Sequence, residues 1–132
     1  MTRTFLDFTV PGRPVPCPRP RIKWGHKAYY PQRYEDWRVK IQLAALEACQ
    51  KQLGTARPCW TGPIELGLIF VGAAGNADLS NLVKSIEDAS EGILMVNDRQ
   101  ITKLQAERFR VEECDDPEEG PHVVVNVRRV LA

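Results

Sequence analysis

From Thr4 to Val10 the chain alternates, with Leu6, Phe8 and Val10 on one side and Phe5, Asp7 and Thr9 on the other. That is the period of a strand. Five prolines then fall within the eleven residues Pro11 to Arg21. They exclude helix and favour stiff, extended backbone. Across Arg33 to Leu53 the apolar positions recur at helical spacing (Tyr34, Trp37, Ile41, Ala44, Ala45, Ala48), and Gly54 supplies a stop. Val39, Leu43 and Leu46 widen the stripe, so this helix is expected to be largely buried or in a subunit contact. Pro63 to Gly72 reads as a strand covered on both faces.

Ser80 to Glu91 predicts a second helix, with Ser80 as its cap and Gly92 as its end. Leu82, Ile86 and Ala89 make its apolar face, bordered by Val83. Ser80, Asn81, Lys84, Glu87, Asp88 and Glu91 make its polar face. Ile101 to Glu113 and Pro121 to Val130 alternate as two further strands around the acidic turn Asp115 to Gly120. Their closeness predicts an antiparallel hairpin. The order is β-α-β-α-β-β, which makes an α+β fold, a mixed sheet packed by two helices. No repeat or linker divides residues 1–132, so one domain is expected.

Composition changes this picture little. The chain has 132 residues, 43% hydrophobic and 27% charged, with a net charge of +1. That is ordinary globular composition at a length that supports a real core. No apolar run reaches the roughly 20 residues of a membrane helix, and the start lacks a signal-peptide layout. The expectation is a cytoplasmic protein without membrane association. Cys17, Cys49, Cys59 and Cys114 form no CxxC pair, and His26 and His122 are the only histidines. Zinc is therefore disfavoured, and free thiols are favoured over disulfides.

Charge placement says more. Residues 1–40 hold nine Lys and Arg against three acids, and the rest hold nine against fourteen. Arg13, Arg19, Arg21, Lys23, Lys27 and Arg33 interleave with Trp24, His26, Tyr29 and Tyr30. Such a mixture suits a nucleic-acid backbone with some stacking. A solvated basic loop that aids solubility is the other reading.

The richest segment is Asn76 to Asp88, followed by Asn97-Asp98-Arg99-Gln100. Asp78 falls between a strand end and a helix start, where α/β units tend to place sites. Asp98, just before the next strand, can fold back beside it. Hard carboxylates with Lys84 nearby suit a Mg²⁺-dependent phosphodiesterase. Mg²⁺ takes oxygen ligands and keeps waters that a phosphate can replace, and a lysine stabilises the charge that develops on phosphorus. On spacing alone an exposed helix face with Lys84–Asp88 and Lys84–Glu87 pairs is the favoured reading, because such faces are common.

The chain resembles the RusA family of Holliday-junction resolvases, small endodeoxyribonucleases of bacteria and their phages. The resemblance covers most of the chain. It rests on Phe8, Val10 and Gly12, on the proline-arginine segment ending at Arg21, and on Tyr30-Pro31. Its core is Asp78-x-x-Asn81-x-x-Lys84-x-x-x-Asp88 with Asp98-Arg99-Gln100 after it. The resemblance implies a RusA-like fold and a homodimer that binds four-way DNA junctions and nicks strands of like polarity. It also implies Mg²⁺, with Mn²⁺ as a substitute, held by Asp78 and Asp98, and Lys84 acting on the phosphate. Ser80 and Asn97 stand where the family pattern has acids. Glu87, two turns beyond Ser80 on the same face, is the expected replacement ligand. Ser80, Asn81, Asp88 and Gln100 are expected to position the site. Arg13, Arg19, Arg21, Lys23, Lys27, Arg33 and Arg99 are expected to contact DNA. Ser80 and Asn97 also allow a non-cleaving junction-binding protein on the same scaffold.

Overall fold

The computed structural model describes residues 5–18 and 30–130. The elements are β1 (Phe5–Pro11), α1 (Gln32–Leu53), β2 (Ile64–Val71), α2 (Leu79–Ser90), β3 (Ile101–Phe109) and β4 (His122–Arg129), in the expected order. They form one small α+β domain.

The sheet runs β1-β4-β2-β3. β4 lies antiparallel to both β1 and β2, while β2 and β3 are parallel, joined across α2. The expected β3–β4 hairpin is thus not formed. Two features explain the difference. The connection contains two 3₁₀ turns, Val111–Glu113 and Pro117–Glu119, and is far longer than a hairpin loop. Burial also sorts the strands. Val123, Val125 and Val127 give β4 a fully apolar face that suits the middle of a sheet. β3 exposes Thr102, Lys103, Gln105 and Glu107, side chains that blunt an open edge.

One face of the sheet carries the core. Leu6, Val10, Ile64, Leu66, Leu68, Phe70 and the β4 valines pack under Trp37, Ile41 and Ala45 of α1 and Leu82, Ile86 and Ala89 of α2. The opposite face leaves Glu65, Gly67 and Ile69 half-buried. β2 is therefore covered on one face, not on both. Ile69 makes the strand look more continuously apolar than its surroundings are. Val39 and Leu43 are 49% and 61% exposed while Leu46 packs half-buried on the core, so within the chain α1 buries only part of the widened stripe.

Gly54 takes φ +80° and ends α1 as its sequence suggests, its N–H bonding to the Gln50 carbonyl. α2 begins one residue earlier than expected. Asp78, not Ser80, is the cap residue, and its carbonyl accepts the N–H groups of Asn81 and Leu82. The Asp78 side chain makes no capping bond to the backbone and instead accepts from Asn81 Nδ2.

The helices are tied by a buried polar link. The Trp37 indole N–H donates to Ser85 Oγ at 3.2 Å, and the Ser85 hydroxyl donates to the Leu82 carbonyl. This link fixes the face that α2 turns to solvent.

Candidate active site

That solvent face is built from the start of α2 outward. Asp78 is exposed at the cap, and Asn81 Nδ2 donates to its Oδ2 at 3.4 Å. One turn on, Lys84 Nζ lies 3.2 Å from Asp88 Oδ1 and 3.5 Å from Asp98 Oδ2. Asp98 reaches it from the 3₁₀ turn Asp98–Gln100 that precedes β3. The structure thus sets Asp98 against Lys84, and Asp78 against Asn81.

The turn that carries Asp98 is held by its neighbours. The N–H groups of Val96 and Asn97 both donate to Gln100 Oε1 at 2.9 Å. Gln100 Nε2 donates to the carbonyls of Trp60 and Gly62. Asn97 Oδ1 accepts the Arg99 N–H, and Glu91 Oε1 accepts the Asp98 N–H. Asn97, at an acid position of the family pattern, therefore serves as a turn cap.

Asp88 has bonds on both oxygens. Oδ1 faces Lys84, while Oδ2 accepts the Tyr34 hydroxyl at 3.1 Å and lies 3.6 Å from the Cys17 thiol. The Cys17 N–H donates to the Asn81 carbonyl at 2.8 Å, which seats the proline-rich segment on the first turns of α2. Tyr34 and Cys17 were not singled out from the sequence as site residues. Both reach Asp88 from far along the chain, and the only trace in the sequence is a hydroxyl within the apolar stripe of α1.

The electrostatics follow from this packing. The bond to Asp88, helped by the Asp88, Asp98 and Glu87 charges, raises the Lys84 pKa against some burial, so its ammonium is held charged. Burial raises the Glu87 carboxyl, Lys84 opposes that shift, and Asp98, Asp88 and Glu91 add to it. Burial first, then the neighbouring Cys17 and Asp88, pushes the Tyr34 hydroxyl far up, so it is a permanent donor. Burial also raises the Cys17 thiol.

The donors here are hard carboxylate oxygens. Among the described residues no three His, Cys, Asp or Glu side chains converge to hold a metal ion. Such a set does not cage a dehydrated cation. It fits Mg²⁺ bound through one or two carboxylates with most of its waters kept.

Arg13, Arg33 and Arg99 are exposed, Arg99 beside Asp98. Ser80 is exposed in the first turn of α2, and Glu87 is half-buried two turns on. Arg19, Arg21, Lys23 and Lys27 lie outside the described residues. The four cysteines are free, two buried and two partly so. Among the described residues no helix is long and apolar enough to cross a membrane.

No curated protein matches the chain. A family model described as Endodeoxyribonuclease RusA matches residues 11–128. That span contains the whole Asp78–Asp98 constellation and the basic segment before it. The chain belongs to the RusA endodeoxyribonuclease family, a family of Holliday-junction-resolving endonucleases that bind branched DNA.

Proposed function

We propose that this chain is a Mg²⁺-dependent, structure-selective endodeoxyribonuclease that nicks four-way DNA junctions during recombination and repair in the cytoplasm. The observation that supports it most is the placement of Lys84 between Asp88 on its own helix and Asp98 from the turn beyond it.

The roles follow from the geometry. An ammonium has three N–H donors, and the two carboxylates leave Lys84 one to direct at a phosphate oxygen as charge develops there. Asp88 fixes the Lys84 side chain, and Tyr34 fixes Asp88. Asn81 orients Asp78, and Gln100 holds the turn that presents Asp98. Ser80 lines the site and leaves room for water. Asp78 and Asp98 would hold Mg²⁺, with Glu87, in place of the acid absent at Ser80, reaching it through a bridging water. The ion, when bound, supplies a Lewis acid for the phosphate and a more acidic water. Arg99, Arg13, Arg33 and the basic residues 19–27 contact backbone phosphates. A homodimer would present two sites to two symmetry-related strands.

A second reading is a junction-binding protein that does not cleave. It is favoured by Ser80 and by Asn97, whose side chain is spent on its turn. One experiment separates the two. A labelled four-way junction, a flap and a linear duplex are each incubated with and without Mg²⁺. Nicking confined to the junction, and lost in Asp78→Asn and Asp98→Asn, is the expected result. Tight junction binding with no nick in Mg²⁺ or Mn²⁺ establishes the second reading. For Glu87, the expected result is weaker Mg²⁺ binding in Glu87→Ala, and unchanged affinity removes it from the ligand set.

A further inference from the structure

A cleft of about 280 Å³ lies between the segment after β1 and the first turns of α1, away from the Lys84 cluster. Its rim carries Arg13, Arg33 and Lys40, and its walls include Val15 and Trp37. All three cations are exposed, and among the described residues none of them takes part in an ion pair. The one acid at the rim, Asp36, accepts a hydrogen bond from Gln32 Nε2 at 2.8 Å. The cleft is thus a net cationic concavity, with three cations against the one carboxylate of Asp36.

Two details relate the cations to their surroundings. Gly12 has φ +110°, and a Cβ built there would stand 2.9 Å from Lys40 Nζ. The missing side chain lets the ammonium sit down over the backbone beside Trp37. A second cleft of about 180 Å³ then shares Val15, Pro16 and Arg33 with the first and reaches Asp78 and Asn81. Arg33 therefore stands in the wall of both, and the two clefts lie side by side, one reaching Lys40 and the other Asp78 and Asn81 at the start of α2.

We infer that the Arg13–Arg33–Lys40 cleft is a seat for a DNA backbone phosphate on the strand whose neighbouring phosphodiester lies at Asp78. The inference rests on the proposed action on DNA and deepens it, by naming the residues that grip a phosphate beside the reacting one. Guanidinium forks suit phosphate oxygens bidentately, and a lysine adds a point charge. The apolar wall of Val15 and the Trp37 edge suits the sugar that accompanies that phosphate. A phosphate gripped at one side of the reacting bond sets the register of the strand.

The test is a scan of single neutral methylphosphonates along each strand of a four-way junction, read as dissociation constants. It uses the full chain and its Lys40→Gln, Arg13→Gln and Lys51→Gln variants. Lys51 is an exposed cation in the last turn of α1 and serves as the charge control. The expected result has three parts. Neutralising one or two phosphates on one side of the branch weakens wild-type binding several-fold. The same lesion has no further effect in Lys40→Gln or Arg13→Gln, and Lys51→Gln behaves as wild type. On the unmodified junction each seat variant lowers the log–log salt slope by about 0.9. Equal affinities and slopes in all proteins, or losses that do not depend on lesion position, overturn the seat. Position-specific coupling without any Mg²⁺-dependent nick leaves the seat standing and removes the nuclease reading. Nicking with no coupling does the reverse.

Discussion

Asp88 is the residue on which the candidate site turns, because each of its oxygens serves a different purpose. One holds Lys84, and the other is held by Tyr34. The Lys84–Asp88 pair was legible in the sequence from i, i+4 spacing. The Tyr34 bond was not, because it spans 54 residues and depends on how the two helices pack. Stability and activity should part here. Lys84 and Asp98 side chains are 46% and 32% exposed, so their pair contributes at most about 1 kcal/mol. Lys84→Met is expected to unfold in urea within about 1 kcal/mol of wild type while losing junction nicking. A much larger loss of stability would give Lys84 a structural role instead. Tyr34→Phe removes a bond to a charged group, worth roughly 1.5–3 kcal/mol. It is expected to lower both the unfolding midpoint and the nicking rate, and an unchanged rate would detach Tyr34 from the site. The cysteines give an independent check. Cys49 is fully buried and its thiol is pushed up to about 11, against an ordinary 9.0. Alkylation of the native protein near neutral pH is expected to label Cys59 and Cys114 first and to spare Cys49 and Cys17. The same shift has a stability sign. It favours the folded state fully below about pH 9, and the advantage is lost as pH rises from 9.0 towards 11. Thermal midpoints are therefore expected to fall over that window, less so in Cys49→Ser once its own cost is subtracted.

At the scale of elements, the alternation of β1 and β4 and the stripes of α1 and α2 were legible because burial acts on one face of each. The pairing of the last two strands was not, since periodicity records which face is apolar and not which neighbour a strand chooses. Closeness in sequence suggested a β3–β4 hairpin, but the valine-rich β4 lies between β1 and β2. The helix start shows the same limit on a smaller scale. The sequence pointed to Ser80 as the cap, whereas α2 starts from Asp78, which puts a site candidate on its first bend. One turn permits little change. Gly72 ends β2 at φ +78°, and a Cβ there would meet Pro121 Cβ at 2.9 Å and Val111 Cγ2 at 3.0 Å. Its N–H also bonds the Phe109 carbonyl, joining the ends of the parallel pair. Gly72→Ala is expected to cost more than about 1 kcal/mol in urea titration. A neutral result would show that this junction of β2, β3 and β4 is slack. Ser85→Ala leaves the buried Trp37 N–H without its partner, for a loss of roughly 1–3 kcal/mol.

For the whole molecule, the uneven charge acquires a geometry. The basic first 40 residues contribute the cleft walls at Arg13, Arg33 and Lys40, while the acidic remainder contributes the face of Asp78, Lys84, Asp88 and Asp98. A near-neutral protein can present a cationic cleft beside an acidic face because the two charges come from different stretches of chain. The sequence revealed that split, and the proline-rich segment that carries part of it. It did not reveal that Cys17 and Tyr34 dock this segment on α2 beside the carboxylates.

The central claim is that this pared acidic site still cuts. It is tested most directly by mapping, strand by strand, the products of a four-way junction incubated with the full-length protein and Mg²⁺. The account predicts paired nicks at symmetric positions in two strands of like polarity, absent without the metal and absent in Asp98→Asn. Intact strands under saturating binding, with Mg²⁺ or Mn²⁺ present, would contradict it.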